Sequence, residues 1–374
     1  MKLETRLIHS GAEIDPATGA VAPPIHLSTT FEHAPDNREP LHDHIYIRES
    51  NPTQSRLEEA LAAAEGGEAA LFFASGLGAS AAVLQSLASG SHALLPNDVY
   101  HGVREIGHSF MPRWGGSVTH VDMADLAAVR AALRPETRLI WAETPSNPLL
   151  QVTDLAALAE IAKGHGAMMV VDNTFATPIL QRPLELGADI VLHSATKYMG
   201  GHSDVLGGAL VLAERAPHYD ELFHVRATLG AAASPFNAWL VLRGLRSLAC
   251  RVERHAANAL AIARALAGHP GLDAVHYPGL PEHAGHEIAR RQMKAFGGML
   301  SLSVAGGRQA AIGVASRVRL FANATSLGGV ESLLEHRASS EGPQSTTPEN
   351  LLRVSVGLEH PDDLIADLEQ ALAG

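Results

Sequence analysis

Short apolar runs alternate with longer amphipathic segments between residues 69 and 212, and this alternation constrains the fold more than any other feature. The runs predict strands at 69–74, 92–96, 118–121, 138–143, 168–172, 189–193 and 207–212. The segments between them predict helices at 78–88, 103–110, 124–133 and 154–165. Such alternation favours a mostly parallel sheet with helices on both faces, whose ligands bind beyond the carboxyl ends of the strands.

The two ends of the chain differ from this central part. Residues 1–50 are rich in proline and polar groups, which is typical of an irregular arm that packs on a partner. Beyond residue 235, an interrupted helix at 237–266 precedes strands at 274–277, 299–304 and 351–356 and helices at 281–293, 309–318 and 361–372. We therefore predict an arm at 1–50, an α/β domain at 51–235 and a smaller α+β domain at 236–374.

Charge and cysteine content argue against several classes of function. The net charge is −12 and there is no basic block, so a nucleic-acid partner is not expected. No apolar leader or membrane-length run is present, and the single cysteine, Cys250, is typical of a reducing compartment, which indicates a cytoplasmic protein. Cys250 is expected to be a small core residue of a helix. His42 and His44 lack a third ligand with suitable spacing, so no metal site is expected.

A lysine follows one of the predicted buried strands. The run 190–192 turns polar at once through Ser194 and Thr196 and then reaches Lys197. Desolvation at such a position favours the neutral amine, which is the better nucleophile toward a carbonyl. The two hydroxyls before it are suited to a phosphate, and this combination suits pyridoxal phosphate, whose aldehyde bonds to a lysine. A surface lysine that covers apolar neighbours with its stem is the alternative.

A second phosphate-binding feature lies at the strand–turn–helix of residues 72–80. The backbone N–H groups of Gly76 and Leu77, with the hydroxyl of Ser75, open a helix and suit an anion. The Gly-x-Gly-x-x-Ala pattern at 76–81, with Asp98 about twenty residues later, also matches a dinucleotide fingerprint. A nicotinamide-dependent dehydrogenase is therefore an alternative, although it leaves the lysine loop without a role.

Other strand ends carry further candidates. Asp172 ends an apolar strand, where a buried acid needs a cationic partner such as a pyridinium nitrogen; a turn cap is the alternative. Tyr100 lies at a strand–loop junction, where it would stack on a flat ring or simply pack. Arg353 lies inside an apolar strand and suits a substrate carboxylate, and Arg48, near Tyr46, suits a phosphate.

Read together, these segments resemble the Cys/Met-metabolism family of pyridoxal-phosphate enzymes. This transsulfuration group includes cystathionine γ-synthase, γ-lyase and β-lyase, methionine γ-lyase and acylhomoserine sulfhydrylases. The resemblance runs from 19–25 to 362–367. It rests on Tyr-x-Arg-x-x-Asn-Pro-Thr at 46–53, Glu-Thr-Pro-Ser-Asn-Pro at 143–148, Val-Asp-Asn-Thr at 171–174, His-Ser-Ala-Thr-Lys at 193–197 and Ser-Leu-Gly-Gly at 326–329.

The resemblance implies a fold-type-I, aspartate-aminotransferase-like enzyme that assembles as a homotetramer, a dimer of dimers with shared active sites. It makes Lys197 and Tyr100 catalytic: Lys197 is the Schiff-base lysine and proton shuttle, and Tyr100 stacks on the cofactor ring. The other cofactor-binding residues that it implies are Asp172, Gly76, Leu77, Thr174, Ser194 and Thr196, with Tyr46 and Arg48 reaching in from the neighbouring subunit. The substrate-binding residues that it implies are Asn147, Ser326 and Arg353.

Several departures limit how far the resemblance defines the reaction. Thr325 stands where γ-acting relatives tend to carry glutamate, His101 replaces a common glycine, and 335–343 replaces a usual His-Pro-Ala-x-Met-Thr-His. Leu327, however, keeps the form typical of γ-acting relatives. We therefore expect γ-elimination or γ-replacement of a small amino-acid substrate, with a β-lyase or other C–S lyase of the family as alternative. A non-catalytic pyridoxal-binding protein is a further alternative.

Overall fold

Two β-sheets organise the chain, whose computed structural model describes residues 1–36, 40–341 and 347–374. Within those ranges the larger sheet contains β1 (Ala69–Phe73), β2 (His92–Pro96), β3 (Ser117–Val121), β4 (Thr137–Glu143), β5 (Met168–Asp172), β6 (Ile190–His193) and β7 (Gly208–Leu212). Their spatial order is β1-β7-β6-β5-β4-β2-β3. The pairs from β3 to β6 are parallel, whereas β7 is antiparallel to both of its neighbours. The mostly parallel sheet is thus confirmed, and each predicted end of these strands lies within one residue of the observed end.

The helices of this part cover the larger sheet. They are α1 (Leu3–His9), α2 (Pro52–Glu65), α3 (Gly76–Gln85), α4 (His101–Glu105), α5 (Leu126–Ala132), α6 (Leu155–His165), α7 (Thr177–Leu180) and α8 (Tyr219–Leu229). Apolar runs such as 190–192 are buried on both faces of the sheet between these helices, as their lack of alternation predicts. The predicted helix at 103–110 instead consists of α4 and a following π-helical turn, Ile106–Phe110.

The N-terminal arm is less irregular than its composition suggests. Leu3 and Leu7 of α1 are buried, and they belong to the same apolar cluster as Leu57 of α2. Four residues apart, the two leucines lie on one face of the short helix, and their burial stabilises it despite its length. The prediction of an arm without regular structure is therefore wrong for residues 3–9.

The C-terminal part contains a smaller sheet. Its strands within the described ranges are β8 (Leu272–His276), β9 (Met299–Val304), β10 (Ala322–Asn323), β11 (Leu333–His336) and β12 (Leu351–Ser355), in the spatial order β10-β11-β12-β9-β8. The helices are α9 (Pro235–Leu245), α10 (Leu248–Leu266), α11 (His286–Gln292), α12 (Gly307–Arg317), α13 (Arg337–Glu341) and α14 (Pro361–Ala373). The predicted interruption of the long helix falls between α9 and α10.

Three features of this part were not predicted correctly. The short strands β10 and β11 escaped notice, and α11 is shorter than the predicted helix at 281–293. Cys250 is exposed rather than buried, because it lies two residues from Leu248 and therefore on the opposite side of α10 from that helix's buried face. The domain division at residue 235 stays a prediction, since Leu57 and Leu242 belong to one continuous apolar cluster.

Within the described ranges, no helix combines the length and the hydropathy needed to cross a bilayer.

Candidate active site

A cavity of about 290 Å³ opens at the carboxyl-terminal edge of the larger sheet, and segments of the smaller sheet close it. It brings together the predicted residues Gly76, Leu77, Tyr100, Asn147, Asp172, Thr174, Ser194, Thr196, Lys197, Ser326 and Arg353. The residues from the larger sheet converge because its parallel strands end at one edge and carry polar residues just beyond that end, whereas Ser326 and Arg353 come from the C-terminal part.

Lys197 lies in a tight turn that follows β6. Its backbone N–H donates to the carbonyl of Ser194 at 3.1 Å, and its Nζ donates to the Ser326 hydroxyl at 2.9 Å. Burial, followed by the positive charge of Arg353, lowers the pKa of Lys197 to about 8. A substantial fraction of this amine is therefore neutral near pH 8, in the form that attacks a carbonyl carbon.

Two carboxyl groups lie side by side at the ends of β4 and β5, where Glu143 is paired in register with Asp172. Burial raises the pKa of Asp172, against hydrogen bonds from Thr174, whose backbone N–H lies 2.9 Å from Asp172 Oδ1. Burial and the charge of Asp172 raise the pKa of Glu143 well above its ordinary value. Glu143 is buried and Asp172 partly buried, and neither forms a salt bridge within the described residues, so the pair favours a positively charged ring nitrogen beside Asp172.

Glu143 was missed in the sequence. Its carboxylate accepts a hydrogen bond from the backbone N–H of Tyr100 at 2.9 Å, and this contact holds the start of α4 at the cavity. The signal was present, because Glu143 ends an apolar strand in the same way as Asp172. Tyr100 is 42% exposed, and the centroid of its ring lies 5.0 Å from that of His101.

The amino-terminal end of α3 forms the opposite part of the cavity. Ser75 caps the helix by accepting from the Gly78 N–H at 3.0 Å, while the first helical amides, Gly76 and Leu77, have no acceptor within their own helix. A Cβ at Gly76 would lie 3.0 Å from the Ser194 side chain, a tight contact that a larger residue could make only if Ser194 shifted. Amides, helix end and the Ser194 hydroxyl together suit a phosphate.

Thr196 faces the same cavity but has a partner within the chain. Its hydroxyl donates to the carbonyl of Gly207 at 3.2 Å and accepts from the N–H of the same residue at 3.1 Å. The backbone N–H of Ser194 similarly donates to the Thr174 hydroxyl at 2.9 Å. These bonds fix the loop that contains Ser194 and Thr196. The hydroxyl oxygens of Thr174 and Thr196 each accept one of these hydrogen bonds and keep a second lone pair that can accept another.

Arg353 of β12 is buried, and its guanidinium has three acceptors. It donates to Glu335 at 2.6 Å, to the carbonyl of Ser326 at 3.1 Å and to Asn147 Oδ1 at 3.3 Å. Burial lowers the pKa of Arg353 to about 10. The anion that a buried arginine requires is thus Glu335 of the same chain, which is paired with Arg353 in the register of β11 and β12.

Glu335 belongs to a charged group that the sequence did not reveal. Burial alone would raise the pKa of Glu335, but the charge of Arg353, with a hydrogen bond from the Thr325 hydroxyl at 2.7 Å, holds it below the ordinary value. Arg337 and Glu341 of α13 also line the cavity. The departure noted at 335–343 thus lies at the site, although residues 342 and 343 fall outside the described ranges.

Tyr46 and Arg48 do not line this cavity. Both are exposed, and the Arg48 guanidinium carbon lies 5.3 Å from the centroid of the Tyr46 ring. Their phosphate-binding role in a neighbouring subunit stays a prediction.

Comparison with known proteins agrees with this geometry. The model of the family described as Cys/Met metabolism PLP-dependent enzyme matches residues 4–373. The chain belongs to this family. It is similar to cystathionine gamma-synthase of Mycobacterium tuberculosis, with 50% identity over 98% of this chain and 96% of that protein. Cystathionine beta-lyase of Coxiella burnetii is 43% identical over 99% of this chain and 97% of that protein.

The structural comparison extends the likeness to the whole fold. Cystathionine gamma-lyase from Lactobacillus plantarum, crystallised with L-serine, superposes with a TM-score of 0.95 at 39% identity, covering 100% of this chain and 99% of that one. The Cys/Met-metabolism enzyme described here therefore has the predicted fold-type-I architecture and uses pyridoxal phosphate. The dehydrogenase alternative is set aside, because the glycines at 76 and 78 open a helix beside Ser194 and the lysine loop.

The residues present fit this cofactor on physical grounds. The helix end at Gly76 and the Ser194 hydroxyl suit its phosphate, and the paired acids Asp172 and Glu143 suit its ring nitrogen. Lys197, with its lowered pKa, suits its aldehyde. The described residues contain no group of three His, Cys, Asp or Glu side chains arranged to hold a metal ion.

Proposed function

We propose that this enzyme of sulfur amino-acid metabolism catalyses elimination or replacement at Cγ of a small amino-acid substrate, in the manner of a cystathionine γ-synthase or γ-lyase. One observation carries the proposal: a buried lysine with a pKa of about 8 shares a cavity with a strand-end aspartate and a buried arginine. The names of the relatives, which cover synthase, β-lyase and γ-lyase, support the sulfur amino-acid class.

Pyridoxal phosphate supplies an aldehyde for the substrate amine and a ring that accepts electrons. Lys197 would hold the cofactor through Nζ, and the same amine would take the proton from the substrate Cα and carry it onward. The Ser326 hydroxyl, 2.9 Å from Nζ, orients that amine. Asp172 would keep the ring nitrogen protonated, and the side chain of Tyr100 would stack on the ring.

The remaining contacts place cofactor and substrate. The residues that would hold the phosphate are Gly76, Leu77, Ser194 and Thr196, and Thr174 orients Asp172 through a hydrogen bond from its backbone N–H. Arg353, with Ser326 and Asn147, binds the substrate α-carboxylate.

Cleavage at Cβ is the second candidate, since the C. burnetii relative is named a beta-lyase. Leu327 favours the γ-reactions, because the Ser-Leu-Gly-Gly segment at 326–329 has the form seen in γ-acting relatives. Leu327 is buried at the wall of the cavity.

The enzyme is proposed to act as a homotetramer, a dimer of dimers in which the arm carries Tyr46 and Arg48 into a neighbour's cavity. Exposed apolar side chains of the arm support this assembly: Ile14, Val21 and Leu27 are each more than 60% exposed, which is typical of a surface that another subunit covers. A cytoplasmic location is proposed from the single cysteine.

A product assay tests the function. The holoenzyme is given cystathionine, or O-succinyl- or O-acetylhomoserine with cysteine, and Lys197→Ala is the control. Formation of 2-oxobutanoate or of cystathionine supports a γ-reaction, and pyruvate supports the β-lyase. If the yellow wild-type enzyme forms none of these three products, the proposal is wrong.

A further inference from the structure

Two guanidinium groups share one carboxylate oxygen at the wall of the cavity. Glu335 Oε2 accepts from Arg353 at 2.6 Å and from Arg337 at 3.1 Å, while its other oxygen accepts from Thr325. The side chains of all three charged residues are less than a tenth exposed. Arg337 is thus a direct neighbour of the arginine proposed to bind the substrate carboxylate, and it lines the same cavity.

The charge balance of this group depends on Glu341. Glu335 neutralises one guanidinium, and Glu341 Oε1 accepts from Arg337 at 2.7 Å and neutralises the other. Arg337 Nε is buried and has no hydrogen-bond partner among the described residues. The hydrogen-bonding capacity of this guanidinium is therefore incompletely used, which is costly for a buried cation.

The two carboxylates are held very differently. Glu335 belongs to β11 and is fixed by pairing with β12. Glu341 ends the five-residue helix α13, and its carboxylate also accepts a hydrogen bond from the Thr347 hydroxyl at 2.7 Å. Its side chain is also more exposed, at 16% against 7%. Of the two, Glu341 is the carboxylate that an incoming anion can replace.

We propose that Arg337 is a second carboxylate-binding residue, and that the α-carboxylate of the amino-acid substrate replaces Glu341 on it. This inference rests on the proposed function and adds a specificity-determining residue to it. The exchange of one carboxylate for another keeps the buried charge balanced, so binding does not require an unpaired arginine. An amine without a carboxylate makes no such exchange. Arg337 and Glu341 therefore act with opposite signs on amino-acid affinity and leave amine affinity unchanged.

Two small ligands isolate this contribution: L-norvaline and butylamine, which is norvaline without its carboxylate. Each is titrated into the holoenzyme, and binding is measured from the change in cofactor absorbance. We expect Arg337→Gln to lower the affinity for norvaline at least tenfold and Glu341→Gln to raise it at least threefold. The affinity for butylamine should be unchanged in both variants. In the double variant, replacing Glu341 has no further effect on norvaline affinity, because the guanidinium for which the Glu341 carboxylate competes is absent.

Arg308→Gln is the matched control. Arg308 contacts Ser339 of the same helix from outside the cavity, at 3.3 Å, and pairs with Glu349. This substitution tests whether disturbing α13 is enough to change ligand binding. We expect norvaline and butylamine to bind Arg308→Gln with the same affinity as the wild type.

Several results would overturn the inference. Equal weakening of norvaline and butylamine by Arg337→Gln would show a structural role, and unchanged or weaker norvaline binding by Glu341→Gln would exclude the competition. If Arg337→Gln does not fold, the isosteric Glu341→Gln decides alone. Both titrations need only bound cofactor, so a holoenzyme that binds norvaline but makes no sulfur amino-acid product refutes the proposed function and leaves this inference standing.

Discussion

Lys197 Nζ donates a hydrogen bond to the hydroxyl of Ser326 at 2.9 Å, and this contact joins the loop after β6 to the segment before β11. Ser326 has a backbone φ angle of 113°, a value that residues other than glycine rarely adopt. The reactive amine of the larger sheet is therefore oriented by a strained residue next to the smaller one. Strain of this kind is found at sites where surrounding structure imposes a geometry that function requires.

The hydroxyl and the strain of Ser326 are separable. Ser326→Gly removes both, whereas Ser326→Ala removes the hydroxyl and keeps the strain. If the hydrogen bond to Lys197 orients the amine, kcat falls about tenfold in both variants. Urea unfolding should show the glycine variant to be more stable than the alanine variant by about 1 kcal/mol. Full activity in Ser326→Gly alone would assign the effect to the backbone.

The lowered pKa of Lys197 predicts how the cofactor-free protein takes up pyridoxal phosphate. The amine is protonated below pH 8 and neutral above it, so the rate of cofactor attachment should rise with pH through a midpoint near 8. Stopped-flow absorbance measures this rate. Arg353→Gln removes a positive charge and should move the midpoint upward, while Arg308→Gln should not. A wild-type midpoint near 10.5, the ordinary lysine value, would contradict the prediction.

The charge of Asp172 is expected to matter more than its shape. Asp172→Asn keeps the size of the side chain and its acceptor for the Thr174 N–H, but offers no anion to the ring nitrogen. We expect cofactor binding to persist and kcat to fall at least about a hundredfold, because the ring accepts electrons poorly when its nitrogen is not protonated. Retention of more than a third of wild-type kcat, at full cofactor content, would rule out this role.

His255 should make stability depend on pH. Its ring is buried and donates Nδ1–H to the carbonyl of Val356 at 2.6 Å, and burial lowers its pKa to about 4. Between pH 6.5, the ordinary pKa of histidine, and pH 4, His255 is protonated in the unfolded chain and neutral in the folded chain. The free energy of unfolding therefore falls as the pH falls through this interval.

Urea unfolding at pH 8 and pH 5 measures this effect. We expect the wild type to lose roughly 1 to 2 kcal/mol more than His255→Gln over this interval. The exposed His224→Gln is the control and should behave as the wild type. An equal loss in the wild type and in His255→Gln would show that His255 is not responsible.

Shared active sites predict complementation between two inactive variants. Lys197→Ala lacks the reactive amine, and Arg48→Ala lacks the arm residue proposed to serve a neighbour. After subunit exchange, each mixed pair contains one site with both residues, so activity should return to about a quarter of the wild-type value. No recovery, despite exchange shown by native mass spectrometry, would place Arg48 outside the neighbour's site.

Much of the fold and half of the site follow from local sequence. Runs without alternation predicted the buried strands, and polar residues at their ends predicted Asp172 and Lys197 as neighbours. This reasoning succeeds because a parallel sheet brings the carboxyl ends of its strands to one edge, whatever their separation along the chain. The same rule would have found Glu143, which ends β4 in register with Asp172.

The partner of Arg353 could not be found in this way. The sequence showed that a buried guanidinium requires an anion, but Glu335 lies on a four-residue strand with polar residues at its end and no clear period. The short β11 is stabilised by its pairing with β12 and not by its own pattern. Exposure of Cys250 was similarly decided by the face of α10 that the core covers.

The sequence by itself determined the layered architecture, the lysine at the strand end and the cofactor class, because these depend on periodicity and on residues close together in the chain. Only the tertiary structure decided which charges meet. The shared oxygen of Glu335, and the position of Arg337 and Glu341 beside it, depend on antiparallel pairing and on a loop closing over another sheet. Electrostatic energy depends on distance in space, and distance in space is what local sequence patterns do not encode.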